Sequence, residues 1–403
     1  MADSGYPKKG EVIHASDVNE TFVGVTTSKS IFDSWTLHTV NLIRRNDGTV
    51  PAIGYVTGSL DESTPGASFV TVGMTKSSLQ TLANEHHTHT SSDFTELNDW
   101  RIRTDTSNTN DLVFGDPYYD KWYLVPDSKF GTSSIKDVCY GNGKFVAVGA
   151  SGKIAYSYDG ISWTTVTDSK FGNWDINSIC YGSEKFVAVG SGGKMAYSAD
   201  GITWTAVSDS KFGSSFIYSI CYGNRQFVAG GSGGKIAYSS DGIKWTLVSD
   251  SKFGSSASVN DVCYGNDKYV AVGYDIAYSY DGINWTAVSY TALSSDNIYG
   301  ICYGNGKFVA GNGVGKIAYS SDGISWTLAP DSKFDGSGIE SICYGNGKFV
   351  AVGASGKIAY SSNGIIWTLV PDSKFGTWVI YSICYGNKRY VAAGVRGNML
   401  YAI

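Results

Sequence analysis

The chain has 403 residues, a formal net charge of −5 and charges of both signs mixed along its length. This balance argues against a nucleic-acid groove, and no apolar run is long enough to span a membrane. The N-terminal stretch MADSGYPKKG lacks the apolar segment of a secretory signal.

Residues 1–110 contain no cysteine and no repeat, and we expect a small mixed or β-rich domain here. The segment TKSSLQTLANEHHTHTSS is predicted to begin with a short helix capped by Thr75 and then to become extended. In an extended chain the side chains of His87 and His89 point the same way. The stretch TELNDWRIRTDTSNTN, residues 95–110, is predicted to be a polar linker.

Residues 111–403 repeat a single unit. Its tryptophans are 40 or 41 residues apart and stand at Trp122, Trp163, Trp204, Trp245, Trp285, Trp326 and Trp367. Each unit has four short runs of Ile, Val, Phe, Tyr and Trp, separated by N-G and D-G turns that favour hairpins. Four strands per 40 residues predict the blade of a β-propeller, so the fold is expected to be all-β with seven four-stranded blades.

The two ends of the repeat complement each other. The seventh unit stops at Ile403 after three strands, whereas WYLV at 122–125 precedes the first unit as an isolated strand. We therefore predict that this N-terminal strand completes the last blade and closes the ring, which removes two open sheet edges.

All the cysteines occur in the sequence CYG, once in each unit, at Cys139, Cys180, Cys221, Cys263, Cys302, Cys343 and Cys384. Disulfides would favour an even number and an oxidising compartment, and zinc would need CxxC or Cys/His pairs. We expect seven free, buried thiols that serve as small core residues.

The heptad SYDGISW, residues 157–163, recurs as SADGITW, SSDGIKW, SYDGINW, SSDGISW and SSNGIIW. It resembles the Asp-box of sialidases and related propellers, shortened by one residue. The resemblance implies a turn between the third and fourth strands, in which Ser and Asp bond backbone amides and Trp packs into the blade. In that family the box lies away from the active site, so it implies a fold and no chemistry.

A glycosidase activity is not expected. Sialidases need an arginine triad and a Tyr/Glu pair, but the repeats contain only Arg225, Arg389 and Arg396, of which the first two are predicted in peripheral turns. The main acids near the inner strands are Asp137, Asp261 and Glu340, in three different blades, so a carboxylate pair is hard to assemble. We expect no enzyme.

Differences among the units indicate where binding could occur. They concentrate before and at the start of the inner strand and in the hairpin between the second and third strands, two sets of loops expected on one face around the central channel. Candidate receptor-binding residues there are Trp174, Tyr218, Tyr299, Trp378, Tyr381, Asn177, Asn260 and Glu340. Such side chains suit stacking on sugar rings and bonding to hydroxyls. The alternative is drift at unconstrained loops.

The segment KKGEVIHASDVNETF, residues 8–22, resembles the opening of phage tail-fibre and baseplate proteins, and His87-x-His89 resembles the H-x-H motif of trimeric phage tail spikes. The resemblance implies that residues 1–110 anchor the chain to other tail proteins, as a homotrimer whose histidines would hold an iron or similar metal. A solvated histidine pair in a linker is the alternative. No other cofactor is expected.

Together these features predict a non-enzymatic virion protein of the tail, made in the bacterial host cytoplasm, whose propeller binds a host-surface saccharide or protein. Neither nucleic-acid binding nor membrane insertion is expected. Two alternatives stay open: a purely structural virion protein with the ring as a docking surface, and a cellular lectin or assembly-factor propeller.

Overall fold

The computed structural model describes residues 121–288, 293 and 296–402, together with the backbone of two strands, β1 (Arg101–Thr104) and β2 (Leu112–Gly115). These two strands pair antiparallel, with Arg101 opposite Gly115. The prediction of a linker over residues 95–110 is therefore wrong at β1, because this segment finds a partner strand in LVFG. The predicted N-terminal helix, His87 and His89 lie outside the described residues.

The repeats form one compact unit, Tyr119–Ile403, made of seven four-stranded antiparallel sheets, which confirms the predicted propeller. The domain boundary predicted between residues 110 and 111 stays a prediction. The first, innermost strands of blades 1 to 7 are β4 (Ile135–Gly141), β8 (Ile176–Gly182), β12 (Ile217–Gly223), β16 (Val259–Gly265), β20 (Ile298–Gly304), β24 (Ile339–Gly345) and β28 (Ile380–Gly386).

The remaining strands follow in the same order of blades. The second strands are β5 (Lys144–Gly149), β9 (Lys185–Gly190), β13 (Gln226–Gly231), β17 (Lys268–Gly273), β21 (Lys307–Asn312), β25 (Lys348–Gly353) and β29 (Arg389–Gly394). The third strands are β6 (Ile154–Ser157), β10 (Met195–Ser198), β14 (Ile236–Ser239), β18 (Ile276–Ser279), β22 (Ile317–Ser320), β26 (Ile358–Ser361) and β30 (Met399–Ala402). The outermost strands are β7 (Thr164–Thr165), β11 (Thr205–Ala206), β15 (Thr246–Leu247), β19 (Thr286–Ala287), β23 (Thr327–Leu328), β27 (Thr368–Leu369) and, for blade 7, β3 (Tyr123–Leu124).

Short turns join these strands, and their residues follow from the backbone they require. Asn142 and Gly143, between the first two strands of blade 1, have φ values of 46° and 75°, the left-handed region that N-G tolerates. Single 3-10 turns lie between the second and third strands at Ala150–Gly152, Ser191–Gly193, Ala354–Gly356 and Val395–Gly397. No helix in the described part of the chain is long and apolar enough to cross a membrane.

The predicted closure of the ring is confirmed. β3 pairs antiparallel with β30, with Tyr123 opposite Tyr401 and Leu124 opposite Leu400. The Val125 amide extends the pairing by donating to the Met399 carbonyl at 2.9 Å. Trp122 is buried in the core of the last blade, so the N-terminal strand supplies both hydrogen bonds and packing.

The hydrophobic core lies in layers between neighbouring blades. In the layer between blades 1 and 2, Val146 and Val148 of blade 1 pack against Phe171, Phe186 and Trp204 of blade 2. The other layers repeat this arrangement, and the layer between blades 7 and 1 joins Val391 to Phe145. Each blade therefore buries apolar area only against its neighbours, so stability depends on a closed ring.

The geometry implied by the Asp-box resemblance is present. In blade 1, Asp159 Oδ1 accepts hydrogen bonds from the amides of Ile161 and Ser162, both at 2.8 Å, and Ser157 Oγ accepts from the Gly160 amide at 2.8 Å. The indole of Trp163 is buried and donates to the Gly160 carbonyl at 3.2 Å. Asn363 takes the place of aspartate in blade 6 with the same two amide bonds.

The Asp-box turns and the N-G turns meet on one face of the ring, which we call the box face. Asn142 Nδ2 donates to the Ala199 carbonyl of the next blade at 3.4 Å, and Lys144 Nζ donates to the Asp200 carbonyl at 2.6 Å. Arg389 of the last blade bonds the Asp159 carbonyl of the first. The box turns therefore also serve as acceptors that join successive blades.

Candidate binding site

The two variable sets of loops lie together on the face opposite the box face, here called the variable face. In blade 1 the Ala150 amide, in the hairpin after the second strand, donates to the Ser134 carbonyl just before the inner strand, at 2.9 Å. The Ser191 amide and the Asp175 carbonyl make the same bond in blade 2 at 2.9 Å. Hydrogen bonding thus holds both loop sets of a blade side by side.

A β-bulge places the most variable residue of each inner strand. In β4, Ile135 pairs with Gly149 and Asp137 with Val148, so Lys136 is left without a partner residue in the ladder. The same shift occurs in the inner strand of every blade. The bulge residues are Lys136, Asn177, Tyr218, Asn260, Tyr299, Glu340 and Tyr381, and we call them the bulge ring. Bulges commonly re-aim a side chain beside a functional site, a feature the repeat pattern did not indicate.

Two members of the bulge ring have structural partners. Asn177 Nδ2 donates to the Ile217 carbonyl at 2.8 Å, and Asn260 Nδ2 donates to the Ile298 carbonyl at 3.0 Å. Each amide therefore ties its inner strand to that of the next blade. The side-chain NH2 groups of these two candidate residues are thus engaged within the ring.

Lys136 is also paired within the ring. Its ammonium lies 3.2 Å from Asp175 Oδ2 and 3.4 Å from Asn177 Oδ1. The second carboxylate oxygen of Asp175 accepts a hydrogen bond from the Ser151 amide at 2.9 Å. Burial would raise the pKa of Asp175, but these contacts outweigh it and lower the pKa. The charges of Lys136 and Asp175 are therefore paired with each other on the variable face.

The predicted aromatic residues are exposed in separate places. Trp174 is 49% exposed and lies over Gly192 in the neighbouring hairpin. Trp378 is 40% exposed, and the guanidinium of Arg396 lies over its ring, 3.9 Å from the ring centroid. Tyr218 stacks on Phe216 with their centroids 6.2 Å apart and their planes at 5°. The structure thus distributes the predicted platforms around the face.

A cleft of about 470 Å³ lies where the repeat is most irregular, between blades 4 and 5. The hairpin of blade 4 is two residues shorter than its counterparts, since the Gly273 amide bonds the Asp275 carbonyl whereas Gly149 bonds Lys153. The cleft is lined by Gly254, Ser256, Ala257, Ser258, Asn260, Tyr274, Asp275, Asn297 and Tyr299. It brings the predicted Asn260 and Tyr299 together, and adds Tyr274, which is 53% exposed.

A second circle of residues, polar in every blade except blade 5, lies one position farther along the inner strands. It contains Asp137, Ser178, Ser219, Asp261, Gly300, Ser341 and Ser382, which we call the polar belt. Asp137 accepts hydrogen bonds from Ser382 Oγ at 2.7 Å and from Ser178 Oγ and the Ile179 amide at 2.8 Å. Burial nevertheless raises the pKa of Asp137. The carboxylate therefore joins blades 7, 1 and 2.

Asp261 plays the same part on the other side of the belt. It accepts hydrogen bonds from Ser219 Oγ at 2.6 Å, from the Val262 amide at 2.8 Å and from the Ile301 amide at 2.9 Å. Burial raises its pKa to about 6, although these donors favour the ionised form. The role of the belt in joining blades was not found from the sequence, because its donors come from neighbouring units.

The seven thiols are free, as predicted, but half-buried rather than buried. They lie at equivalent positions in successive inner strands. Burial raises the pKa of each thiol above its ordinary value. The prediction of full burial was wrong because the inner strand faces the channel as well as the core.

The repeats' arginines lie apart in the structure. Arg225 is in the first hairpin turn of blade 3, Arg389 bonds the box of blade 1, and Arg396 lies over Trp378 in the hairpin of blade 7. Among the described residues no group of three or more His, Cys, Asp or Glu side chains is arranged to hold a metal ion. The proposed metal site at His87 and His89 is not among them.

These features define the molecule as a closed seven-bladed β-propeller with a regular box face and a varied opposite face. It matches no family model and no curated protein. Among solved structures it is similar to YCF48 from Cyanidioschyzon merolae, with 18% identity, a TM-score of 0.56, and coverage of 70% of this chain and 98% of that one.

Two further structures of other proteins share the fold. One is a catalytically inactive virginiamycin B lyase from Staphylococcus aureus with quinupristin, with 14% identity, a TM-score of 0.60, and coverage of 70% of this chain and 99% of that one. The other is the WD40 β-propeller domain of Doa1, with 16% identity, a TM-score of 0.55, and coverage of 70% and 97%. At these identities the likeness shows the propeller fold alone.

Proposed function

We propose that the propeller is the receptor-binding part of a bacteriophage tail-fibre or baseplate protein, and that its variable face binds a host-surface saccharide. The observation that carries the proposal is the cleft between blades 4 and 5. It occurs where the repeat is broken, and tyrosines, amides and hydroxyls line it.

The chemistry of the cleft suits a sugar. Tyr274 and Tyr299 offer exposed ring surface on which the apolar face of a pyranose can stack. Asp275, Asn297 and the serines of the cleft supply groups that can bond hydroxyls without a net positive charge. A half-open, polar cleft on a rigid scaffold is suited to one or two sugar units. Trp174 and Trp378 offer further exposed rings on which other sugar units of the same glycan can stack.

The virion assignment depends on the N-terminal resemblance. In this proposal residues 1–110 anchor the chain to other tail or baseplate proteins as a homotrimer, with His87 and His89 as candidate ligands of an inter-chain metal. The protein would be made in the bacterial host cytoplasm and reside in the tail. The role is non-enzymatic, which agrees with the use of Asp137 and Asp261 in joining blades.

A protein-docking role is the second candidate. A propeller of this shape, YCF48, has been solved bound to D1 peptide; it has 18% identity to this chain and a TM-score of 0.57. The exposed aromatic residues of the variable face would also suit a peptide or a neighbouring virion protein. The ring would then be an assembly surface, in a virion or in a cell.

Glycan-array binding by the full chain tests the proposal. Tyr274→Ala and Tyr299→Ala should each weaken saccharide binding by about 1–3 kcal/mol, the range for a lost aromatic anchor. Trp174→Ala and Trp378→Ala should weaken adsorption to host cells by a similar amount if the ligand extends around the face. Tyr158→Ala is the matched control, since Tyr158 is 60% exposed but lies in a box turn.

The controls also separate the alternatives. If Tyr158→Ala or changes at Asn142 and Asn224 reduce adsorption while the variable face tolerates substitution, the box face is the binding face and the proposal is wrong. If no glycan binds and the variable-face changes instead release a virion protein from assembled particles, the docking role holds.

A further inference from the structure

Gly313 lies against the ring of Tyr299, one of the two tyrosines that line the cleft between blades 4 and 5. A β-carbon on Gly313 would come within 2.8 Å of Tyr299 Cε2 and within 3.6 Å of its Cζ and Oη. The first distance is well below the separation of about 3.5–4.0 Å at which two carbon atoms pack. A side chain at position 313 would therefore collide with the ring.

Every other blade with a full-length hairpin carries a side chain at this position. The position follows the second strand, and its amide donates to the carbonyl just before the inner strand, as Gly313 donates to Asn297 at 3.0 Å. No positive φ is recorded for Gly313. The equivalent residues are Ala150, Ser191, Ser232, Ala354 and Val395. The hairpin backbone thus accepts a side chain here, and it is the contact with Tyr299 that requires glycine in blade 5.

The backbone on both sides of this contact is held in place. Asn312 is fully buried and stands where the other blades have glycine. Its Oδ1 accepts hydrogen bonds from the Val314 amide at 3.3 Å and from the Lys316 amide at 2.8 Å, which closes the hairpin. Tyr299 is the bulge residue of β20, and the residues before and after it pair with β21. A side chain at position 313 would therefore turn the Tyr299 ring about its own torsions, away from its place in the cleft wall.

The equivalent tyrosine of blade 3 has different neighbours. Ser232 takes the place of Gly313 there, and its Oγ accepts a hydrogen bond from the Phe216 amide at 3.0 Å. Tyr218 lies parallel to the ring of Phe216, with the two planes at 5°. Tyr218 and Tyr299 thus occupy the same place in the repeat but contact different groups, and the hairpin residue is one of the differences between the two blades.

We propose that Gly313 is a positioning residue of the cleft, because it allows the Tyr299 ring to lie where a sugar can stack on it. Glycine permits the close approach of another group to the backbone. An aromatic ring that is already held in its binding position loses less conformational entropy when the ligand binds. The stacking of a sugar rests on the proposed saccharide function, whereas the position of the ring does not.

Gly313→Ala tests this in the full chain, with 3-fluorotyrosine at position 299 as a probe. The fluorine resonance and its H2O/D2O isotope shift should both change, because the added methyl group displaces the ring. The melting temperature should change by no more than about 2 °C, since a half-exposed ring can turn toward water. On a glycan array, the apparent affinity for the glycans that the unaltered chain binds should fall about tenfold, as for a lost aromatic anchor.

Two controls show whether the effect passes through Tyr299. Val314→Ala alters an exposed side chain of the same hairpin and should leave the fluorine signal and glycan binding unchanged. In a chain that carries Tyr299→Ala, the further change Gly313→Ala should not weaken glycan binding any more. If the two effects add, or if Val314→Ala weakens binding as much as Gly313→Ala, the positioning role is overturned.

The fluorine signal separates this inference from the proposed function. If the signal is the same in Gly313→Ala as in the unaltered chain, the positioning role is overturned even where glycans bind. If no glycan binds the unaltered chain, but the signal responds to Gly313→Ala and not to Val314→Ala, the saccharide function fails while the positioning of Tyr299 by Gly313 stands.

Discussion

Gly386, in the last blade, lies directly against the ring of Tyr140 in the first, so that a β-carbon on Gly386 would come within 2.1 Å of Tyr140 Cγ. The same contact joins the glycine and tyrosine of every CYG triplet from one blade to the next, as between Gly141 and Tyr181. No positive φ is recorded for these glycines, so close packing and not backbone conformation requires them.

Replacing Gly386 should loosen the packing between the last blade and the first. We expect Gly386→Ala to destabilise the protein by about 1–3 kcal/mol, because the methyl group would overpack against an aromatic ring that the core holds in place. Chemical denaturation measures the change. Gly254→Ala is the matched control, since a β-carbon there would meet nothing within 4 Å. Gly182→Ala should destabilise the protein about as much as Gly386→Ala, because Gly182 makes the same contact with Tyr222. Equal effects of Gly386→Ala and Gly254→Ala would contradict the packing explanation.

The closing strand gives a second prediction. Deletion of residues 111–126 removes β3 and Trp122 together with β2, leaving β30 as an unpaired edge and a hole in the core of blade 7. We expect an aggregating or poorly folded chain, since open edges recruit other strands. Size-exclusion chromatography and thermal melting test this. A monomeric product with an unchanged melting temperature would show that closure contributes little.

The Asp-box turns should respond to pH in a defined direction. Burial would raise the pKa of Asp200, but hydrogen bonds from the amides of Thr203 and Ile202 and from Ser198 outweigh it and lower the pKa to about 2. Because the unfolded value is about 3.9, the folded state gains stability above that pH and loses it as the pH falls toward 2. Lowering the pH toward 2 should therefore protonate Asp200 and weaken its box turn.

Substitution of Asp200 isolates this contribution. Asp200→Ala should cost about 0.5–2 kcal/mol near neutral pH, as for other lost caps of backbone amides. Asp200→Asn should cost less, because Asn363 makes the same amide bonds in blade 6, and it should show a shallower loss of stability in acid. If the asparagine variant were as unstable as the alanine variant, the charge and not the amide acceptor would be essential.

Asp261 should make the stability of the protein depend on pH in the opposite direction to Asp200. Its pKa in the folded chain is raised to about 6, above the unfolded value of about 3.9, so the folded state binds more protons between the two. Stability therefore falls as the pH rises through this window. Asp261→Ser, which introduces the residue found at this position in blades 2, 3, 6 and 7, should reduce that fall by roughly 1–3 kcal/mol. Denaturation at a series of pH values measures it, and an unchanged slope would mean that Asp261 stays ionised throughout.

The sequence by itself determined the class of fold, the number of blades, the closing strand and the box turns. These features depend on local chemistry: alternating apolar residues in short strands, turn residues such as Asn142 and Gly143 that accept positive φ, and amide acceptors such as Asp159 two or three residues from their donors. The regular period then fixed the number of blades, because each blade repeats the same strands and turns.

Only the tertiary structure decided which residues face one another between blades. The contact of Gly386 with Tyr140, the ties from Asn177 to Ile217, and the donors of Asp261 all join positions about one repeat apart or at opposite ends of the chain. A repeat pattern shows that such positions are equivalent, but it does not show how they pack. The cleft between blades 4 and 5 follows from that packing, since it lies where the hairpin of blade 4 is shorter than its counterparts.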